Sequence, residues 1–320
     1  MTPLLSINNL QTSFKTDAGI AGAVKGISLT IHKGTTLALV GESGSGKSIT
    51  ALSIMRLVPA PGFIQSGEVI LDGTDLLTLS EDVMRSFRGS RISMIFQEPM
   101  TSLNPVLRIG DQIMEPLMLH RKLSRKEAAE RGAELLGEVG IPSPGERMRQ
   151  YPHQLSGGMR QRVMIAMALA CNPALLIADE PTTALDVTIQ AQILELINSL
   201  RKSTEMGILL ITHDLGIVAE RSDSTCVMYA GCIVESAETH ELFSSPLHPY
   251  TQALLASLPQ NAEPGKPLAA LPGQAPDITA NLPGCSFFPR CPLAISECKE
   301  YLPELTETAP GHFVRCLVNK

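Results

Sequence analysis

The sequence predicts an α/β protein organised around a parallel sheet, and three observations carry the prediction. Short β-type runs alternate with helical stretches up to about Leu258, the pattern that builds a parallel sheet with helices packed around it. One such run, Leu37-Ala-Leu-Val40, leads into Gly41-Glu-Ser-Gly-Ser-Gly-Lys-Ser48 and then into the helical run Ile49 to Leu57, the strand, loop and helix context of a phosphate-binding loop. From about Arg108 to Ala170 strand signals vanish, so a helical block is inserted between strands.

Taken in order, Ile27 to His32, Thr36 to Val40, Ile92 to Phe96, Leu175 to Ala178 and Ile208 to Ile211 read as strands. Asp72-Gly73 after Glu68-Val-Ile-Leu71 is a hairpin signal, which sets an antiparallel piece beside the parallel core. Ser124-Arg-Lys-Glu127 is a capping box that opens a helix to about Val139, and another helix starts near Ser156. From Pro259 to Pro292 eight of the chain's 23 prolines fall in 34 residues, so packed helices and sheet stop there. The expected division is therefore 1–258, with a helical subdomain at about 108–170, followed by a loop-rich extension at 259–320. No repeat at solenoid period is present.

Composition bounds the function. With 320 residues and 44% hydrophobic content the chain can bury a full α/β core. Its 26 basic and 32 acidic residues leave a net charge of −6, so no global field draws it onto nucleic acid or anionic lipid. Zero Trp and 4% aromatics further weaken a base-stacking model. No apolar run reaches the roughly 18 residues of a membrane helix; the longest, Val163 to Ala178, is broken by Asn172-Pro173. The start, Met1 to Ile7, lacks a signal peptide's positive flank and apolar stretch, so a cytosolic location without disulfides is expected.

The glycine-rich loop points to a nucleoside triphosphate. Glycines let backbone N–H groups wrap a phosphate, and the following helix N-terminus adds positive potential. Gly41, Ser43, Gly44, Ser45, Gly46 and Ile49 are expected to line that nucleotide, with Lys47 on the β- and γ-phosphates and Ser48 on Mg²⁺. Leu175-Leu-Ile-Ala-Asp179-Glu180 is an apolar strand ending in two carboxylates, which a parallel sheet presents at its C-terminal edge. Asp179 is expected to hold Mg²⁺, directly or through water, and Glu180 to polarise the attacking water.

Leu155-Ser-Gly-Gly-Met-Arg-Gln-Arg162, between that loop and the Asp179 strand, resembles the signature of ATP-binding cassette ATPases. Further motifs of that family stand in order. Gln97 resembles the Q-loop glutamine, which also contacts Mg²⁺; Ala184-Leu-Asp186 resembles the D-loop; His213 resembles the switch histidine; and Phe14 sits where an aromatic stacks on adenine. Met159 replaces the commoner Gln, a variant similar to the peptide-importer branch. The resemblance implies a RecA-like mixed sheet core, an antiparallel β subdomain and an inserted helical subdomain. It also implies that Glu180, His213 and Gln97 serve hydrolysis. Ser156, Gly157 and Gly158 open a helix and form a second anion site. By the family's geometry that site meets the nucleotide of a second cassette, so two chains face each other head to tail with ATP between them.

His248-Pro-Tyr-Thr-Gln-Ala-Leu-Leu-Ala and Pro283-Gly-Cys-Ser-Phe-Phe-Pro-Arg-Cys-Pro resemble the C-terminal extension of oligopeptide and dipeptide importer ATPases, a branch that includes nickel importers. The resemblance implies an ATP-hydrolysing subunit on the cytoplasmic face of the membrane. Its implied partners are two transmembrane permease subunits, a second homologous ATPase giving a heterodimer, and an extracytoplasmic peptide-binding protein. Import of nickel or another small solute is the alternative. A soluble cassette ATPase acting on nucleic acid is the lesser one, as the chain has no long coiled-coil insertion, second cassette or basic stripe.

Cys285, Cys291, Cys298 and Cys316, four of seven cysteines, fall in the final 36 residues. Four thiolates can bind zinc or an iron–sulfur cluster. Structural zinc usually takes ligand pairs two to four residues apart, whereas the shortest gap here holds five, and clusters tolerate such spacing. The resemblance implies a [4Fe–4S] centre, with Zn²⁺ as the alternative. Its expected role is structural, so losing Cys291 should loosen the tail while ATP binding stays intact. Cys171, Cys226 and Cys232 are expected to be buried apolar fillers.

Overall fold

The computed structural model describes residues 2–17, 19–97, 102–182, 186–258, 271, 273–276 and 282–319. The chain forms two compact units. The P-loop unit comprises Leu5–Ile31, Thr36–Leu77 and Ile211–Lys320, and the signature unit comprises Met1–Leu4, His32–Thr35 and Thr78–Leu210.

In the P-loop unit, β1 (Leu5–Thr16), β2 (Gly19–Ile31), β4 (Gly62–Leu71) and β5 (Thr74–Asp75) form an antiparallel sheet in the order β2-β1-β4-β5. Ile27, Leu29 and Ile31 point inward while Ser28 and Thr30 are exposed, the period of two that a half-buried strand requires. Leu71 pairs with Thr74 across Asp72 and Gly73. Both turn residues take positive φ, +48° and +80°, the type I′ geometry that suits the strands' right-handed twist.

A second set of strands in this unit runs β11 (Thr306–Ala309), β12 (His312–Val314), β10 (Cys232–Glu238), β9 (Ser224–Tyr229), β3 (Thr36–Val40). β3 pairs with β9 in parallel, whereas β9, β10, β12 and β11 pair successively antiparallel, so the sheet is mixed. β3 is buried throughout, as a continuous apolar strand covered on both faces should be. Around it pack Val218, Val227, Tyr229, Tyr250 and, from the tail, Phe287, with Cys285 and Cys291 against their edge. The proline-rich composition hid this: β11, β12 and Phe287 make the end of the chain part of the P-loop unit's core.

In the signature unit β6 (Ile92–Ile95) and β7 (Leu175–Asp179) are parallel and fully buried, and β7 is next to β8 (Gly207–Thr212). Between β6 and β7 the described residues form helices only, including Ile109–Arg121, Arg125–Glu138 and Gly157–Leu169. The Ser124 capping box is present: the Ser124 N–H donates to Glu127 Oε2 at 2.8 Å, and the Glu127 N–H to Ser124 Oγ at 3.3 Å. Cys171, Cys226 and Cys232 are buried. Burial pushes the Cys226 thiol up to about 11, so it stays protonated and inert.

Candidate nucleotide site

The P-loop unit carries the phosphate-binding loop at the C-terminal end of β3. Gly41 has φ +152° and Gly46 φ +104°, a region that L-residues rarely enter. A Cβ on Gly41 would lie 2.1 Å from the Met228 carbonyl oxygen, and one on Gly46 would lie 2.5 Å from that of Ala23. Both glycines are thus fixed by backbone packed against backbone. A Cβ on Gly44, by contrast, meets nothing within 4 Å, so the crest of the loop is open for a ligand.

Lys47 opens the helix Lys47–Ile54 and folds back into the loop. It is buried, and its Nζ donates to the Gly41 carbonyl at 2.7 Å and the Glu42 carbonyl at 2.9 Å. The left-handed Gly46 at the helix N-cap provides no side-chain cap, and a helix N-terminus presents positive potential to an anion. Ser48 and Ile49 are half-buried in that turn, and Ser43 is exposed. Such a loop fits a phosphate group: glycines at its bends, a lysine within the ring, and open space at Gly44. In the same unit Phe14 is half-buried on β1, opposite Gly62, and His213 is exposed just after β8.

The signature unit carries the remaining site residues. Asp179 ends β7 and is buried. Glu180 follows at φ +47°, a left-handed conformation that costs a non-glycine residue about 1 kcal/mol or more. Gln97, beyond the end of β6, donates from Nε2 to Glu180 Oε2 at 3.0 Å, so two residues 83 apart in sequence meet as a pair. Ser156 is the N-cap of Gly157–Leu169 and accepts the Met159 N–H at 3.3 Å. Ser156 and Gly157 are exposed, and a Cβ on Gly157 meets nothing within 4 Å. A Cβ on Gly158 would approach Ile189 at 3.2 Å. The D-loop residues Ala184 and Leu185 lie outside the described residues, and Asp186 caps the helix Val187–Thr204.

Sequence reasoning missed Gln161. Buried in the signature helix, it donates from Nε2 to the Pro181 carbonyl next to Glu180, which ties that helix to the end of the Asp179 strand. A buried glutamine must find partners, but only the fold shows which.

The tail cysteines are neighbours in space. Burial pushes the Cys285 thiol up to about 11, and Cys298, Cys291 and Cys316 add to the rise against a hydrogen bond from the Phe287 N–H. Cys316 Sγ accepts the Asn319 N–H at 3.5 Å. Among the described residues, however, no group of three or more His, Cys, Asp or Glu side chains is arranged to hold a metal ion. The expected metal-binding extension, with its [4Fe–4S] cluster or Zn²⁺, therefore gains no support from ligand geometry. Two of the thiols pack against the core and two are buried.

A glycine-cradled loop with an inward lysine, together with a strand ending in paired carboxylates, defines the class of P-loop nucleoside triphosphatases. Comparison with known proteins narrows this. The family model for ABC transporters matches residues 24–183, and that for the oligopeptide/dipeptide transporter C-terminal region matches residues 234–298. The dipeptide transport ATP-binding protein DppD of Bacillus subtilis is 50% identical, covering 99% of this chain and 95% of its own. The oligopeptide transport ATP-binding protein OppD of Bacillus subtilis is 51% identical, covering 98% and 88%. Among solved structures, a dimeric, post-hydrolysis ATP-binding cassette bound to ADP and Pi aligns with a TM-score of 0.66 and 28% identity, over 73% of this chain and 98% of that one. The chain belongs to the ABC transporter ATPase family and carries the C-terminal region found in oligopeptide and dipeptide transporters.

Proposed function

We propose that this chain is the ATP-hydrolysing subunit that powers peptide import through a membrane permease. The observation that carries the proposal is the joint match of an ABC transporter core and an oligopeptide/dipeptide transporter C-terminal region in one chain. Among the described residues no helix is long and apolar enough to cross a membrane. The transport path then belongs to two permease subunits, and this chain acts peripherally on their cytoplasmic face. A second homologous ATPase completes a head-to-tail pair, and an extracytoplasmic binding protein delivers the peptide. Within the chain, residues 1–258 form the ATPase and 259–320 its extension.

Phe14 stacks on adenine. Gly41, Ser43 to Ser48 and Ile49 hold the phosphates, with Lys47 leaving the Gly41 and Glu42 carbonyls to meet them. Ser48, Asp179 and Gln97 would hold Mg²⁺, which would supply neutralisation of phosphate charge. Glu180, oriented by Gln97, takes the proton of the attacking water, and His213 contacts the γ-phosphate. Ser156, Gly157 and Gly158 serve the partner's nucleotide. Reconstitution with permease and binding protein in vesicles tests the proposal: peptide-loaded binding protein should raise ATP hydrolysis several-fold over the purified chain. Stimulation by a nickel-loaded binding protein but by no peptide would reject the peptide cargo.

Cys285, Cys291, Cys298 and Cys316 are assigned as ligands of a structural [4Fe–4S] cluster. Support comes from their clustering in the sequence. Anaerobic purification should yield roughly four irons per chain. One zinc and no iron would replace the cluster with zinc, and neither metal would leave four packed thiols.

A further inference from the structure

The tail reaches the phosphate-binding loop through one side chain. Arg290, on the turn Phe288–Arg290, donates from Nη1 to Glu42 Oε2 at 2.7 Å and from Nη2 to Glu42 Oε1 at 2.9 Å. Glu42 is the second residue of the loop. The Arg290 side chain is 5% exposed and that of Glu42 29%, so the pair is largely withdrawn from water and only weakly screened. Its fork is held in place: Nη1 also donates to Tyr229 Oη at 3.3 Å, and the guanidinium lies 5.8 Å from the Tyr229 ring centroid. Tyr229 in turn packs edge-on against Phe287 at 5.2 Å.

The Glu42 backbone is fixed by the same neighbourhood. Its N–H donates to Tyr250 Oη at 2.8 Å, and its carbonyl accepts Lys47 Nζ at 2.9 Å. A continuous path thus runs from Arg290 through the Glu42 carboxylate and main chain to the lysine of the loop. The turn bearing Arg290 is joined to the cysteines, since the Phe288 N–H donates to the Cys285 carbonyl at 3.0 Å and Cys291 follows directly. An unpaired carboxylate at position 42 would repel a nucleotide's phosphates and free the loop's first turn.

The geometry points to Arg290 as a positioning residue for ATP: it neutralises and holds Glu42, so the C-terminal extension sets nucleotide affinity through this pair. This rests on the assignment of the loop to ATP. It also revises the expectation that the tail and ATP binding are independent, because damage at Cys291 should be felt one residue away at Arg290.

The test is fluorescent-ATP binding to the full chain in four forms: wild type, Arg290→Met, Glu42→Gln and the double variant, with Lys47→Ala as control. Arg290→Met should weaken binding about tenfold, the size of coupling that contacting residues show, and Arg290→Lys should recover only part of it, lacking the two-pronged fork. In the Glu42→Gln background the same Arg290→Met change should shift affinity by less than about twofold, because coupled residues are non-additive. A loss of equal size in both backgrounds would overturn the inference and leave Arg290 a packing residue, as would an Arg290→Met affinity equal to wild type. Should Lys47→Ala also bind normally, the assignment of the loop itself fails, a separate result.

Discussion

Glu180→Gln isolates proton transfer from nucleotide binding. Glu180 accepts the Gln97 amide at 3.0 Å through Oε2, and a glutamine in that place still offers a carbonyl oxygen to the same donor. The left-handed backbone at φ +47° is equally compatible, since Glu and Gln branch identically near the backbone. What changes is the capacity to take a proton from water. General-base catalysis contributes about 10²- to 10⁴-fold, which at 1.36 kcal/mol per decade is about 2.7 to 5.4 kcal/mol of barrier. Phosphate release by the assembled transporter at saturating MgATP should fall by that factor, while nucleotide affinity of the chain stays within about twofold of wild type. ATP then accumulates in the closed pair. Turnover within about threefold of wild type would refute Glu180 as the base, and a matching loss of affinity would make it a binding group.

Three further outcomes follow from named contacts. Ser156→Arg should leave the chain's own ATP affinity nearly unchanged yet cut hydrolysis by the assembled pair at least about tenfold, with Ser156→Ala reporting the roughly 1 kcal/mol due to the lost helix cap alone; equal losses of binding and turnover would argue against action in trans. Gly41→Ala should lower both the urea midpoint and ATP binding, because its Cβ would sit 2.1 Å from the Met228 oxygen, and a variant with both intact would show that the loop tolerates a side chain there. Burial pushes the His248 ring down to about 4 from 6.5, and its Nδ1 accepts the Tyr250 N–H at 3.0 Å. The unfolded chain then binds the proton first, so stability is present above pH 6.5 and is lost as pH falls toward 4. Between pH 7 and 4.5 urea denaturation should show wild type losing about 2 kcal/mol more than His248→Asn, which keeps the acceptor without titrating; parallel losses would contradict the burial of a neutral ring.

The phosphate-binding loop, the Asp179 strand and the Ser156 helix were legible because each is a local device. A buried parallel strand is a short apolar run, a loop that must take positive φ needs glycine, and a helix start needs a cap. Thr36 to Val40 matches β3 residue for residue, and Leu175 to Ala178 falls one residue short of β7. β1 was not legible. Asn9 at φ +48° breaks its register, and its buried face includes Thr12, whose hydroxyl is 2.7 Å from Ser53 Oγ, so polar residues stand where periodicity looks for apolar ones. The turn between β9 and β10 was equally silent: Ala230 and Gly231 take φ +47° and +87°, and alanine is not a residue that announces positive φ.

The tail was hardest to read because its chemistry is long-range. Glu235 follows the apolar run Cys232-Ile-Val234 on β10, yet it is fully buried. A carboxylate in that position must be matched, and its partners come from elsewhere in the chain. The Leu247 and His248 N–H groups donate at 2.7 and 2.9 Å, and His312 Nε2 lies 2.8 Å from Oε1. Taking a hydrogen-bond partner away from a buried polar group costs about 1 to 3 kcal/mol, more where that group is charged, a noticeable share of the roughly 5 to 15 kcal/mol that keeps a domain folded. Deleting the chain beyond Leu258 would take away His312, the pairing of β12 with β10, the Phe287 ring and Arg290 together. The extension is therefore bound into the P-loop unit by charge, by sheet and by core, and a composition rich in proline shows none of these because each partner lies many residues away.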